Sequence, residues 1–136
     1  LSIKTYSSPS LYENITFFLL NSAVCIISSA LKLSSASRTI DWVKVKGRTE
    51  PLKLVEVLSH LPEPLQKKRL GMADAIQHGL DFRIDGNLRE ALNVFREARK
   101  LSPQDPIIKH HIKWTEQLIL HGVPENWDGA LQIGHD

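Results

Sequence analysis

The run from Arg38 to Leu58 limits the fold more than any other part of the chain. Its first half interleaves Ile40, Trp42, Val43 and Val45 with Asp41, Lys44 and Lys46, and its second half sets Leu52, Leu54 and Val55 against Lys53 and Glu56. Both halves suit a half-buried strand better than a helix. Gly47 stands between them, followed by Arg48-Thr49-Glu50-Pro51. A residue tolerant of positive φ and then one with fixed φ and no amide donor reverse the chain, so the pattern predicts an antiparallel hairpin. Strand alternation places Lys44 and Lys46 on one face of it and Val43 and Val45 on the other.

The 136 residues are 42% hydrophobic, enough for a real core in one ordinary domain or two small modules. A net charge of +2 argues against a dedicated nucleic-acid binder, although Lys32, Arg38, Lys44, Lys46, Arg48 and Lys53 crowd one region. Cys25 is the single cysteine, so no internal disulfide forms and a reducing compartment is compatible. A start at Leu1 and a lone methionine at Met72 lead to the expectation that the sequence is a piece of a longer protein.

Residues 1–14 carry Ser, Tyr, Asn and Pro9 without a sustained period and read as a loop. Ile15 to Leu20 reads as a buried strand, and Ala23 to Leu31 as a helix with Ser22 at its N-cap. Its rival is a membrane span, because Ile15 to Leu31 holds no charge. A run of about 17 residues broken by Asn21, Ser22, Ser28 and Ser29 is at the lower limit of what crosses a bilayer. A signal peptide fits no better, with Glu13 against the run and Lys4 the only cation before it.

After Leu58 the period changes. Ser59 to Pro64 contains Pro62 and Pro64 and marks the boundary between a first module, 1–61, and a second, 62–136. Leu65, Leu70, Ala73, Ile76, Leu80 and Ile84 predict one helix, ended at Asp85-Gly86-Asn87. A second helix is predicted over Leu88 to Leu101, with Leu88, Ala91, Leu92, Phe95 and Ala98 on its apolar face. The third runs from Asp105 or Pro106 to Leu120 through Ile108, Ile112, Thr115 and Leu118 or Ile119, and Gly122 and Pro124 close regular structure. Trp127-Asp128-Gly129 is expected to fold back on these helices as a docking tail. Gly79, Gly86, Ala91, Phe95, Ala98 and Pro103 follow the skeleton of a tetratricopeptide-type helix pair, in which small residues allow close approach and an aromatic fills the gap. One such unit cannot bury its own apolar face, so it must pack on the third helix, the hairpin module or a partner.

His110-His111, with His78 and His121, raise the question of a metal. Adjacent helical histidines point about 100° apart and no His-x-x-x-His pair is present, so no metal site is expected from the sequence.

Two segments resemble a known family. Arg38-Thr39-Ile40-Asp41-Trp42-Val43-Lys44-Val45-Lys46-Gly47-Arg48-Thr49-Glu50-Pro51 is similar to the closing strands of the class III nucleotide cyclase catalytic domain, with its R-x-L/I-D-x-V-x-V-K-G-K/R-x-E-P pattern. Gly79-Leu80, Gly86, Ala91, Phe95, Ala98, Leu101, Pro103, Asp105 and Pro124-Glu125-Asn126-Trp127-Asp128-Gly129 resemble the helical extension that follows that domain in many bacterial adenylate/guanylate cyclases. The resemblance spans roughly residues 15 to 131.

It implies an α+β chain: the end of an α/β cyclase domain (strand, helix, hairpin) followed by a three-helix, tetratricopeptide-like module. The implied activity of the parent is formation of cyclic AMP and pyrophosphate from ATP, in signal transduction; adenylate is favoured over guanylate only as the commoner bacterial case. Lys46 matches the family's polyphosphate-binding lysine, and Arg48 adds a second positive contact. A lysine just before a glycine turn can set a point charge against phosphate oxygens, which agrees with that role. The metal-binding aspartates for Mg²⁺ (or Mn²⁺) and the N-x-x-x-R helix of the family have no match here, so no catalytic residue is assigned and the chain alone is expected to be inactive. The family also implies a homodimer, a nucleoside triphosphate substrate and a cytoplasmic location, with any membrane attachment upstream. The alternative is a non-enzymatic helical interaction module, with a protein partner for the tail, joined to a degenerate cyclase-like domain.

Overall fold

In a computed structural model of the chain, the residues described are 3–4, 24–27, 36–45, 47 and 49–133. The architecture is mixed α+β. Strands β1 (Ile3–Lys4), β2 (Val24–Ile27), β3 (Ser37–Val45) and β4 (Leu52–Val57) precede helices α1 (Glu63–Leu70), α2 (Ala73–Ile84), α3 (Leu88–Leu101) and α4 (Pro106–His121), and β5 (Leu131–Ile133) closes the described chain. The five-stranded sheet has the order β1-β5-β3-β4-β2. All pairings are antiparallel except β3 with β5, which is parallel.

The hairpin forms where its alternation places it, with Gly47 at φ +86 in the turn. One irregularity changes which side chains face inward. Thr39 opposes Val55 and Asp41 opposes Leu54, so Ile40 is an extra residue on β3. This bulge resets the alternation, and Arg38, Ile40, Asp41 and Val43 all become buried.

The helix expected over Ala23 to Leu31 is not formed at its centre: Val24, Cys25, Ile26 and Ile27 are a strand paired with Glu56 to Lys53 of β4. Three of the four residues are β-branched, and pairing there covers what would otherwise be an open edge of β4. The expected strand over Ile15 to Leu20 and the Ser22 cap lie outside the described residues, as does most of the 15–31 run. Among the described residues, no helix is long and apolar enough to cross a membrane.

The helix expected over Leu65 to Ile84 is two helices. α1 has no buried residue and stops at Gly71, where Gly lowers helix propensity. The Arg69 carbonyl at its end accepts from the Arg38 guanidinium at 3.2 Å. Only Ile76 and Leu80 of the expected apolar stripe are buried, whereas Leu70 and Ile84 are 39% and 43% exposed. α3 and α4 follow their predicted spans. Gly86, at φ +82, carries the chain from α2 into α3, and Asn87 N donates back to Phe82 O at 2.8 Å. A methyl at Gly79 would lie 2.3 Å from Phe95 Cζ, so the aromatic ring occupies the space the missing side chain leaves. Asp105 caps α4 by accepting from Ile107 N at 3.0 Å, with Pro106 at the first helical position.

One apolar cluster joins Ile40, Val43, Leu54 and Leu131 of the sheet to Ile76, Leu80, Phe95, Ile108, Ile112 and Leu118 of the helices. The turn at 59–62, where the sequence places a boundary, therefore connects two layers of a shared core. Regular structure does not end at Pro124: Trp127 packs on this cluster and β5 extends the sheet.

Candidate functional site

The predicted phosphate-binding residues Lys46 and Arg48 lie outside the described residues, but Gly47 between them is exposed and positive in φ, and among the described residues, its two chain neighbours apart, nothing lies within 4 Å of where its side chain would start. The turn is open to solvent at that point. Lys44, two positions before Lys46, is half-buried, and its Nζ donates to Asp128 Oδ2 at 2.8 Å. Burial pushes the Asp128 carboxyl up, but the Lys44 hydrogen bond and the Ala130 amide outweigh it and hold the group below the usual carboxylate range.

Behind the turn, β3 is fastened to the helices by buried charge. Arg38 donates from Nη1 and Nη2 to the two Asp105 oxygens at 2.6 and 2.9 Å, and from Nε to Glu56 Oε1 at 2.8 Å. Arg38 and Glu56 are direct cross-strand partners, and Glu56 Oε2 accepts from Arg69 at 2.8 Å. A planar guanidinium suits this because its donors meet one carboxylate side-on while others remain for a second. Burial disfavours the Arg38 charge, yet Asp105 and Glu56 more than restore it and its pKa is raised.

A second cluster forms around Asp41. Its Oδ1 accepts from Arg83 Nη2 at 2.5 Å and from the Trp42 amide at 2.7 Å. Arg83 Nε donates to Gly129 O at 2.9 Å, and its guanidinium lies over the Trp114 ring at 4.7 Å. Burial pushes the Asp41 carboxyl up, but Arg83 and His111 outweigh it and the net shift is downward. His111 stacks on Phe95 at 4.8 Å between ring centroids, and its Nε2 is 2.7 Å from Ile40 O. Burial, then the neighbouring His111, push the His110 pKa down to about 3. The His111 pKa is also lowered, by burial first, against the opposing pull of Asp41.

Asp41, His110 and His111 offer ligand atoms within 4.8 Å of one another. Reasoning along the helix alone missed this grouping, because the third member comes from β3. An ion pair already occupies part of this group: Asp41 Oδ1 accepts from Arg83 and from the Trp42 amide, and a fixed guanidinium charge beside it opposes a cation. A site for the Mg²⁺ of a cyclase needs open carboxylates, and the residues just described do not supply them.

Among the described residues, three ion pairs thus join β3 to the later part of the chain, beyond β4: Arg38 to Asp105, Asp41 to Arg83 and Lys44 to Asp128. The sequence showed these residues as parts of two separate patterns, and nothing in their spacing shows that they meet. No family model, curated protein or solved structure matches this chain.

Proposed function

We propose that this chain is the closing part of a class III nucleotide cyclase, whose parent makes cyclic AMP and pyrophosphate from ATP in the cytoplasm. In that role the turn at Lys46-Gly47-Arg48 supplies positive contacts to the triphosphate, Lys46 first and Arg48 second. The observation that carries the reading is the open, positive-φ Gly47 turn, flanked in sequence by two cations, at the tip of a strand held rigid by buried ion pairs. A turn without a side chain lets phosphate oxygens approach the backbone, and a fixed strand spares the ligand the cost of ordering it. The metal ions and the attacking hydroxyl are handled by residues of the parent upstream of this chain, so no catalytic step is assigned to residues here. Dimerisation through the cyclase domain belongs to the same proposal.

The test is ATP affinity in the full-length protein. Lys46→Ala should weaken triphosphate binding by about 10- to 100-fold, the worth of one charge-assisted contact. Unchanged affinity and turnover remove Lys46 from the site.

A second reading, the helical segment as a protein-docking module without chemistry, is favoured by apolar surface. Leu101 and Leu120 are 75% and 73% exposed. A cleft of about 550 Å³ beside α2 and α3 is lined by Ala75, His78, Val94, Ala98 and Leu101. Retained turnover in a Lys46→Ala parent, with loss of a partner on Leu101→Asp, favours this second reading.

A further inference from the structure

The bulge on β3 and one turn of α4 gather side chains that neither element brings together by itself. Asp41, next to the bulged Ile40, meets His110 and His111 so that one ligand atom from each lies within 4.8 Å of the others. Side chains at adjacent helical positions point about 100° apart, yet the centroids of these two imidazoles are only 5.4 Å apart, with 56° between the planes. Donor atoms around a tetrahedral ion at about 2.0–2.2 Å stand about 3.4 Å from one another. The group therefore has to close by no more than about 1.4 Å, which side-chain rotation supplies.

Two of the three are held from behind. His111 Nε2 is 2.7 Å from the Ile40 carbonyl, which can only accept, so this nitrogen carries the proton and Nδ1 keeps its lone pair. Nδ1 is buried and has no hydrogen-bond partner among the described residues. A carbonyl on one ring nitrogen, with the other left to an ion, is the arrangement that orients histidine ligands. Among the described residues, both hydrogen bonds that Asp41 accepts, from Arg83 and from the Trp42 amide, fall on Oδ1, which leaves Oδ2 for an ion. The Arg83 charge opposes a cation, but an ion on Oδ2 is nearer to the carboxylate than to the guanidinium, and Coulomb attraction is stronger at the shorter distance.

We propose that Asp41, His110 and His111 form a site for a divalent transition-metal ion of the zinc type, held by Asp41 Oδ2, His111 Nδ1 and one nitrogen of His110. Imidazole suits zinc and is a poor ligand for Mg²⁺, so the site is separate from the metals of the cyclase reaction and does not rest on that reading. Asp41 and His111 are buried, and the half-buried His110 marks the side from which water completes the coordination. The role is structural, because the ion joins β3 to α4 beside the Arg38–Asp105 pair.

The experiment is calorimetric titration of zinc chloride into the metal-free 136-residue chain, with visible absorption of cobalt chloride as a second probe. A single Zn²⁺ should bind with a dissociation constant of about 1 μM or tighter, and Co²⁺ should give the strong bands of tetrahedral coordination. His110→Gln and His111→Gln should each weaken binding by at least about 100-fold, the upper end of what loss of an outer-shell partner costs. His78→Gln and His121→Gln, at exposed positions, should leave it unchanged. No Zn²⁺ binding at about 100 μM overturns the site. Binding that either His110→Gln or His111→Gln leaves unchanged does the same, and marks an adventitious ion on the surface histidines. If those two variants do not fold, the unaltered chain decides: strong tetrahedral Co²⁺ bands uphold the site, and weak octahedral ones overturn it.

Discussion

Removing the charge of Asp105 would leave Arg38 with too few anions in a place that water does not reach. Both side chains are fully buried, and Arg38 also serves Glu56 and the end of α1. Asp105→Asn keeps an oxygen for the α4 cap, so the change isolates the ion pair. Breaking one partner of a buried pair should lower unfolding free energy by about 3–5 kcal/mol, measured by urea denaturation. A loss below about 1 kcal/mol, the range of surface pairs, would mean the network contributes no more than an exposed contact. Among residues, Arg38 and Asp41 show best how a motif read for chemistry becomes architecture. Their types were evident in the pattern around the hairpin, but their partners, Asp105 and Arg83, lie 67 and 42 positions away.

Between elements, the approach of α2 to α3 depends on one glycine. A Gly79→Ala methyl would enter the Phe95 ring, itself fully buried, and overpacking of this kind costs about 1–3 kcal/mol. Gly79→Ala should lower the thermal midpoint, and adding Phe95→Leu should recover part of the loss by making room. If the double variant is worse than the sum of the two single changes, the close approach is not what Gly79 provides. The small-and-large spacing of this pair was legible because it is local: the contacts are made within one helix–turn–helix. The break after Leu70 was not, because the sequence continues an apolar period through Gly71 and Met72, and the helix ends where Arg38 and Glu56 take hold of Arg69. The strand at Val24–Ile27 is illegible in the sequence for a similar reason. Its residues are apolar in a row, a pattern that suits a buried helix or strand equally, and the open edge of β4 settled the choice.

For the whole molecule, the buried His111 and the half-buried His110 shape the response to acid. His110 and His111 both have folded-state values below the ordinary 6.5. The unfolded chain therefore takes up protons below pH 6.5 that the folded chain refuses, so this part of the stability is complete above that pH and declines as pH falls below it. For His110 the decline continues toward its folded value of about 3. A histidine that is protonated when unfolded and neutral when folded contributes a slope of at most about 1.4 kcal/mol per pH unit. The Asp41 carboxyl, held below its ordinary 3.8, adds to the loss only when pH falls through that lower range. Urea midpoints at pH 7.5 and 5.5 should differ accordingly, and His110→Gln should reduce the difference; equal midpoints would place both imidazoles in contact with solvent when folded.

The sequence alone determined what periodicity and turn chemistry can determine: the hairpin about Gly47, the spans of α3 and α4, Pro106 in the first turn of α4 and the mixed α+β class. These depend on neighbours within a few residues, where backbone geometry and side-chain spacing fix the outcome. Tertiary structure alone decided the bulge at Ile40, the strand order β1-β5-β3-β4-β2, the return of the tail as β5 and the pairing of Arg38 and Asp41 with the helices. Those depend on contacts between distant residues, and a buried charge or an open strand edge takes its partner from whichever part of the chain the shared core brings beside it.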